Sequence, residues 1–222
     1  MPSSSPSPAP ATDAAPKRGR RKEARPGELL SAALDLFVEK GFAATKVEEV
    51  AARAGVSKGT LFLYFPSKEE LFKEVVRRNI ADRFVEWDLE LEAYEDNTSE
   101  LLRYCFATWW EHVGATKAGA LDKLMLSEAN NFPELARFYR QEVVEPARDL
   151  VRRILQRGME RGEFRRMDLE YAVYLVEAPL AFLMMWQHSF GLCMPDADRF
   201  SPQEYIRVQV DNILLGLATR PA

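Results

Sequence analysis

The residues whose types and spacing fit a recognisable chemistry lie close together, within residues 47–64, VEEVAARAGVSKGTLFLY. Basic, small, hydroxyl-bearing and aromatic residues follow one another in its second half: Ser57, Lys58, Gly59, Thr60, Phe62 and Tyr64. A lysine can bind a phosphate or the edge of a guanine, and small residues let the backbone approach a base closely. This set predicts recognition of double-stranded DNA, with Lys58, Gly59 and Thr60 near the bases.

Two short helices that cross tightly would position these residues. Ala51 stands where the first helix must be thin, and Gly55 stands at the turn, where a positive φ is cheap only for glycine. Ser57 is placed to cap the second helix. Apolar residues fall where they would seal the two helices together: Val50, Ala54, Val56 and Leu61. An ordinary helical hairpin shares part of this pattern but needs no basic and hydroxyl face, so we predict a DNA-reading helix-turn-helix.

Helix starts around this motif would add contacts to phosphates. Thr45 is placed to cap the helix before the turn, which puts Lys46 at a helix start, where unpaired N–H groups and the dipole favour an anion. Ser67 is placed to cap the next helix, beside Lys68. We therefore expect Thr45, Lys46, Tyr64 and Lys68 to lie at the DNA backbone, where they position the motif without reading sequence.

Residues 41–72, GFAATKVEEVAARAGVSKGTLFLYFPSKEELF, resemble the DNA-binding domain of the TetR family of one-component transcriptional regulators. The sequence departs from the family at Phe62, where the family usually carries Tyr, so one hydroxyl that could reach a phosphate is missing. Residues 126–164 also resemble the effector domains of TetR-type repressors of the drug-efflux group. The resemblance implies a homodimer that binds a palindromic operator and responds to a small-molecule effector.

The charge distribution separates a DNA-facing end from the rest of the chain. Residues 17–68 hold eleven Lys and Arg against six Asp and Glu, a net charge of +5, so the remainder carries −9 within the total of −4. Residues 1–16 are rich in Pro, Ser and Ala, and an Arg-Gly-Arg element similar to minor-groove-binding peptides follows them. We expect a disordered basic arm at residues 1–22, a DNA-binding domain at 23–68 and a ligand-binding and dimerisation domain at 69–222.

Apolar periodicity predicts helices along the whole chain and no strand with clean alternation. The first helix is expected at residues 26–40, with Pro26 in its first turn and Gly41 as its stop. A longer helix at residues 68–94 would run from the DNA-binding domain into the body. Further helices are expected at residues 99–113, 118–129, 133–161, 169–190 and 202–219. The fold class is therefore all-α, with about nine helices: a three-helix helix-turn-helix domain and a helical effector and dimerisation domain.

Aromatic and sulfur-containing side chains are concentrated on helices of the body. Such stripes are often ordinary core, but methionine adapts to varied apolar molecules and can line a cavity. Trp109 and Trp110 are adjacent, so they cannot both point straight into one core. We predict a pocket for an apolar or amphipathic effector, lined by Phe106, Trp109, Trp110, Met125, Phe138, Met184 and Trp186.

The last two helices are predicted to form the dimer interface. Residues 171–186 are apolar except for Glu177 and contain Pro179, which makes the run short and charged for a membrane span. Its apolar surplus suits a subunit interface, and the final helix has the spacing to join it in a four-helix bundle. Two recognition helices related by a two-fold axis would read a palindrome.

An enzyme and a redox sensor are the two alternative classes of protein. An enzyme would need a nucleophile with its base, a metal cluster or a phosphate-binding loop, and the sequence carries no such signature; we expect no catalytic residue, metal or cofactor. A redox sensor would use Cys105 or Cys193, but apolar contexts would raise the pKa of both thiols and make them inert. The two separated cysteines suit a cytoplasmic protein better than a disulfide scaffold.

We therefore expect an all-helical, homodimeric, ligand-responsive repressor. The sequence leaves open the effector, the operator and the regulated genes, the choice between repression and activation, and whether the basic arm contacts DNA.

Overall fold

The computed structural model describes residues 17–195 and 201–219, with side chains from residue 26 onward. Within these ranges the chain is helical, apart from turns and one isolated bridge between Phe164 and Ala218. The expectation of an all-α fold is confirmed.

The helices follow one another as α1 (Lys17–Ala44), α2 (Val47–Arg53), α3 (Lys58–Tyr64), α4 (Lys68–Val76), α5 (Arg83–Ala93), α6 (Thr98–Trp109), α7 (Ala120–Glu128), α8 (Pro133–Tyr139), α9 (Glu145–Glu160), α10 (Leu169–Gln187) and α11 (Pro202–Leu217). A π-helical turn at Arg77–Ala81 joins α4 to α5, one at Trp110–Gly114 extends α6, and one at Arg140–Val144 joins α8 to α9. Counted through these turns, the described part of the chain forms nine helices, as predicted.

Helix α1 begins earlier than the sequence indicated. It starts at Lys17, so Pro26 lies inside the helix rather than in its first turn. Residues 1–16, most of the predicted arm, lie outside the described residues. Near the other end, Gly41 has φ 82° and ψ 169°, a conformation that strongly favours glycine. It kinks α1 where the sequence predicted a stop, and the helix then ends at Ala44.

The helix-turn-helix geometry follows the predicted spacing. Gly55 has φ 67°, and Ala51 is buried where α2 and α3 cross. The backbone N–H of Val56 donates to the carbonyl of Ala51 over 2.9 Å, which closes the turn. Ser57 caps α3, because its hydroxyl accepts from the N–H of Thr60 over 3.1 Å.

Thr45 has a different role from the one predicted. Its side chain is buried, and its hydroxyl lies 3.1 Å from the carbonyl of Leu36 and 2.7 Å from that of Gly41, as donor to both. The residue in the capping position of α2 is Lys46, whose N–H donates to the Glu49 carboxylate over 3.3 Å. The prediction that Thr45 caps α2 and faces DNA is wrong, because its hydroxyl is used to close the end of α1.

Lys68 also turns inward. Its ammonium donates to the carbonyls of Phe42, Ala43 and Thr45 over 2.8, 3.2 and 3.0 Å, and its nitrogen lies 4.4 Å from the centre of the Phe42 ring. An ammonium has three donors, and all three are used here. Ser67 does cap α4 as predicted, with its hydroxyl 3.1 Å from the N–H of Glu70. The expectation that Lys68 grips a phosphate is corrected: it joins α4 to the end of α1.

An aromatic cluster joins the DNA-binding end to the body. The ring of Phe42 lies 5.6 Å from Phe37, 5.4 Å from Phe72 and 4.8 Å from Phe132, measured between ring centres. Phe132 comes from the loop before α8, so the first hydrophobic core continues across the predicted domain boundary at residue 68. The N–H of Ala43, which donates to the Glu128 carboxylate over 3.3 Å, reinforces this junction.

A second core lies between α6, α9, α10 and α11. All five residues on the predicted inner side of the last helix are buried in it: Ile206, Val210, Ile213, Leu214 and Leu217. The outer side of α10 and α11 is apolar but exposed, with Tyr171, Tyr174, Leu175, Phe182, Met185 and Leu215. Leu169–Cys193 is long and apolar enough to cross a membrane by length and composition, so the argument that the run is too short does not hold for the whole segment.

Replacing Lys68 by Met should destabilise the fold, because the stem is kept while three carbonyls lose a charged donor. We expect the free energy of unfolding to fall by about 2 kcal/mol, the usual contribution of hydrogen bonds to a charged group. The matched control is Lys73→Met on the same helix. The Lys73 ammonium forms a partly exposed ion pair with Glu70 at 2.7 Å, so this substitution should cost less than about 1 kcal/mol. Thermal unfolding followed by circular dichroism measures both, and equal losses would contradict the proposed role of Lys68.

Candidate functional site

The predicted recognition helix α3 presents a continuous outer face. Ser57, Lys58 and Gly59 are exposed at its start, and Thr60 and Tyr64 are half-buried. Phe62 is exposed further along the helix, and Lys46 is exposed at the start of α2. Of the residues predicted to contact DNA, Thr45 and Lys68 are therefore the two whose polar groups are turned into the fold.

Lys58 is paired within the chain. Its ammonium lies 2.6 Å from the Glu48 carboxylate at the start of α2 and 5.7 Å from the centre of the Phe62 ring. The hydrogen bond from Lys58 lowers the pKa of Glu48, which therefore stays ionised at neutral pH. Any anion or base edge that binds Lys58 must compete with this carboxylate.

Leu63, on the same helix, is an exposed apolar residue that was not among the predicted DNA contacts. Its side chain is 83% exposed, the largest exposed fraction among the large hydrophobic residues described. A leucine this exposed on a short helix has no role in the core, whereas an apolar side chain can contact a thymine methyl group in a major groove. The sequence could have indicated that Leu63 is exposed, because it follows Phe62 and lies on the opposite side of the helix from the buried Leu61.

Ion pairs hold α2 against α1 behind this face. The guanidinium of Arg53 donates to both oxygens of Glu39 over 2.7 and 2.9 Å, and Lys40 donates to Glu49 over 2.9 Å. A bidentate arginine–carboxylate pair fixes the relative orientation of its two helices more strictly than a single contact.

A cavity of about 460 Å³ lies in the body. Its wall is mainly apolar and is built from the helix that contains α4 and α5, from α6 and α7, from the helix that contains α8 and α9, and from α10. All three π-helical turns contribute to it, through Ile80, Val113 and Val143 among others. This volume suits a small organic molecule.

Three of the predicted ligand contacts lie in the cavity wall: Phe106, Trp109 and Met125. The adjacent Trp110 does not, because successive residues of a helix point about 100° apart. Its ring is buried in the second core, close to the backbone of Gly114. The two adjacent tryptophans therefore face different neighbours: Trp109 faces the cavity and Trp110 faces the second core.

The other three predicted contacts are also placed outside this cavity. Phe138 is buried beneath the guanidinium of Arg77, at 5.0 Å from its ring centre. Met184 is buried beside Gly119 in the second core. Trp186 stacks against Phe182, with ring centres 5.9 Å apart. The predicted set of ligand contacts is therefore reduced to the three residues in the cavity wall. The periodicity indicated which helix faces are buried but not which neighbour each face contacts.

The cavity wall also contains polar residues that were not among the predicted ligand contacts. The hydroxyl of Tyr139 donates to the carboxylate of Asp122, and the guanidinium nitrogen Nε of Arg148 lies 3.0 and 3.2 Å from the two oxygens of Glu177. Burial raises the pKa of Asp122, Tyr139 and Glu177. The members of each pair are 17 or 29 residues apart in sequence, so no local pattern announces them.

The thiols of Cys105 and Cys193 differ in their exposure to solvent. Cys105 lies in the cavity wall, where burial raises its pKa to about 12, so its thiolate is scarce at neutral pH. Cys193 is exposed to solvent. The Cys105 observation weighs against a redox sensor that uses the cavity thiol.

Two sequence profiles of known protein families match the chain. The profile described as bacterial regulatory proteins of the tetR family matches residues 29–75, and the profile of a tetracyclin repressor-like C-terminal domain matches residues 98–190. The chain belongs to the TetR family. It is a DNA-binding, ligand-responsive transcriptional regulator, and the resemblance of residues 41–72 is confirmed.

Individual relatives agree with this assignment. The transcriptional repressor KstR2 of Rhodococcus jostii is 28% identical over 208 residues, which cover 93% of this chain and 97% of KstR2. Two solved structures share the fold. FadR of Bacillus subtilis, determined with stearoyl-CoA, has a TM-score of 0.69 at 15% identity and covers 86% of this chain and 98% of its own. The ketosteroid regulator KstR2 of Mycobacterium tuberculosis has a TM-score of 0.64 at 23% identity and covers 88% and 96%.

Between the two TetR profiles lies the segment that connects the helix-turn-helix to the cavity. The first profile ends at residue 75 in α4, and the second begins at residue 98 with α6. The π-helical turn Arg77–Ala81 and α5 fall between them. Ile80, on the cavity side of this turn, is buried in the core that the DNA-binding end shares with the body.

Proposed function

We propose that this TetR-family regulator is a cytoplasmic repressor that binds a palindromic operator as a homodimer and is released when a small apolar or amphipathic effector enters the cavity. The observation that carries the proposal is the single helix formed by α4, the π-helical turn and α5. One end of this helix lies in the core of the DNA-binding domain, and the other forms a wall of the cavity.

The DNA side of the proposal uses α3. In a major groove, its exposed start would bring Gly59 and Thr60 against base edges, with Lys58 on a guanine edge or a phosphate. Tyr64 would contact the backbone at the far end of the helix. The net charge of +5 over residues 17–68 supports this orientation, because phosphate contacts provide much of the affinity for DNA.

The dimer would form through the outer face of α10 and α11. Six apolar side chains are exposed there, and exposed apolar residues grouped on one face are typical of protein–protein interfaces. Packing α10 and α11 against their two-fold copies would complete a four-helix bundle. This use of the apolar face accounts for its composition without a membrane.

Effector binding would use the cavity between the DNA-binding domain and the dimer face. The relatives support an effector with a large apolar part, since FadR of Bacillus subtilis was determined with stearoyl-CoA and KstR2 of Mycobacterium tuberculosis is described as a ketosteroid regulator. The mainly apolar wall here, with Phe106, Trp109 and Met125, suits an apolar group of that kind.

The connecting helix would transmit the signal. Phe84 and Trp87 of α5 line the cavity, while Leu71 and Phe72 of α4 are fully buried in the DNA-binding core. A dimer fits a palindrome only while its recognition helices are about 34 Å apart, one turn of the duplex. An effector that favours a displaced α5 therefore weakens operator binding without touching α3, by roughly 5- to 150-fold for ordinary coupling energies.

Two opposite substitutions test the DNA face. Lys58→Ala should weaken operator binding and, if Lys58 meets a phosphate, reduce the slope of log affinity against log salt by about one unit. Glu48→Gln should instead tighten binding at low salt by roughly two- to fivefold, because Lys58 no longer has an internal partner. Fluorescence anisotropy with operator DNA measures both, with Lys123→Ala in the body as the control. If neither substitution changes affinity, α3 is not the DNA-reading helix.

Filling the cavity tests the effector site. Ala147 lies in the cavity wall on α9, and Ala147→Phe should displace an apolar guest. We expect the affinity for the neutral dye Nile red to fall at least about tenfold while operator binding without ligand stays unchanged. Ala107→Phe on the exposed side of α6 is the control. Undiminished dye binding in Ala147→Phe would show that the guest binds elsewhere.

A charge on the outer face of α11 tests the dimer. Leu215 is 78% exposed in one chain, and Leu215→Glu would place two carboxylates in the proposed bundle. We expect sedimentation to show monomers for this variant and dimers for the unmodified chain. Val85→Glu, at an exposed valine of α5, should leave the dimer intact. A dimer that survives Leu215→Glu must use another surface.

A further inference from the structure

Asp122 is a carboxylate in the cavity wall for which the structure shows no positively charged partner among the residues it describes. It stands on α7 in the cavity wall, beside the buried Leu121, Leu124 and Met125. Its carboxylate accepts a hydrogen bond from the hydroxyl of Tyr139 on α8. Asp122 keeps some accessible surface although burial raises its pKa, as expected if that surface faces the cavity.

The other carboxylates and guanidinium groups of the described cavity wall are ion-paired or lie at its edge. Arg148 and Glu177 form an ion pair, and Arg140 donates to Glu145 outside the wall over 2.8 Å. Glu90 is exposed and accepts from the hydroxyl of Tyr104 over 3.0 Å. Asp122 differs from the ion-paired groups because its partner is a neutral hydroxyl, and it differs from Glu90 because it is not exposed.

This arrangement is unfavourable for the empty protein. Removing a carboxylate from water costs more than one hydrogen bond from a phenol returns, which is why burial favours the protonated form of Asp122. A cation brought by a ligand would offset that cost and form a charge-assisted hydrogen bond. A ligand carboxylate or phosphate would instead repel the ionised form of Asp122 and so gains nothing from it.

We propose that Asp122, oriented by Tyr139, anchors a protonated amine of the effector, whose apolar part lies along Trp109 and Met125. This inference rests on the proposed role of the cavity as the effector site, and it narrows the effector class to lipophilic amines. Tyr139 is a positioning residue, because its hydroxyl occupies one carboxylate oxygen and leaves the rest of the group for the ligand.

Three compounds that differ only in their head group test the inference: decylamine, decanol and decanoate. They are titrated into the full-length chain by isothermal calorimetry at pH 7, below their aggregation concentrations, where the amine is protonated. We expect decylamine to bind at least about tenfold more tightly than either of the other two. In Asp122→Asn, which keeps an acceptor for Tyr139, decylamine and decanol should bind with similar affinity.

Glu90→Gln is the matched control, since it removes a carboxylate at the exposed edge of the same cavity and should preserve the preference for the amine. Melting curves check that Asp122→Asn folds; because it removes a buried charge, it should melt no lower than the unmodified chain. If Asp122→Asn fails to fold, the comparison of the three compounds on the unmodified chain decides alone.

The outcomes separate this inference from the proposed function. Equal binding of the three compounds, or a preference for the amine that survives in Asp122→Asn, overturns the role of Asp122 and leaves the cavity as the effector site. Binding of none of the three, together with undiminished Nile red binding in Ala147→Phe, overturns the cavity as the effector site and the inference with it.

Discussion

The end of α1 is held by one buried cluster of contacts on which the placement of the helix-turn-helix depends. Gly41 kinks α1, and the next residue, Phe42, enters an aromatic cluster. The carbonyls exposed by that kink are taken by the ammonium of Lys68 from α4. Because partly buried carbonyls are costly to leave unsatisfied, these hydrogen bonds favour keeping α1, α2 and α4 in this arrangement.

This cluster also explains how a DNA-binding end and a ligand-binding body can act as one unit. Phe132 inserts from the body into the same aromatic group, so the two parts share a core rather than a flexible linker. A shared core transmits displacement, because close-packed side chains cannot absorb it locally. The helix formed by α4 and α5 runs through that core to the cavity, which gives a small change at the cavity wall a mechanical path to α3.

Much of the architecture could be predicted because its determinants are local. The positive φ of Gly55 and Gly41, the capping hydroxyls of Ser57 and Ser67, and the buried side of α11 each follow from residues a few positions apart. The inward turn of Lys68 and Thr45 could not be predicted in this way. Their partners are carbonyl groups whose position is set by tertiary packing, and a carbonyl is present at every residue.

The cavity was predicted less completely for a related reason. Periodicity finds the buried side of a helix, but it does not tell a core neighbour from an empty space, and so Trp109 and Trp110 were grouped together. The pair of Asp122 and Tyr139 joins two helices whose contact had no sequence signal. The π-helical turns were missed as well, since each lies inside a stretch whose composition is ordinary for an α-helix.

Those π-helical turns affect how this fold can vary over evolution. A π-helical turn holds one residue more than the α-helical path it replaces. Losing that residue would restore α-helical bonding at the turn, while the two flanking segments keep their facing because the turn had absorbed the extra residue locally. Since all three turns border the cavity, single-residue changes of length at these places would reshape its wall while the core rows on either side stay intact. If the effector binds in this cavity as proposed, effector preference can diverge by insertion and deletion as well as by substitution.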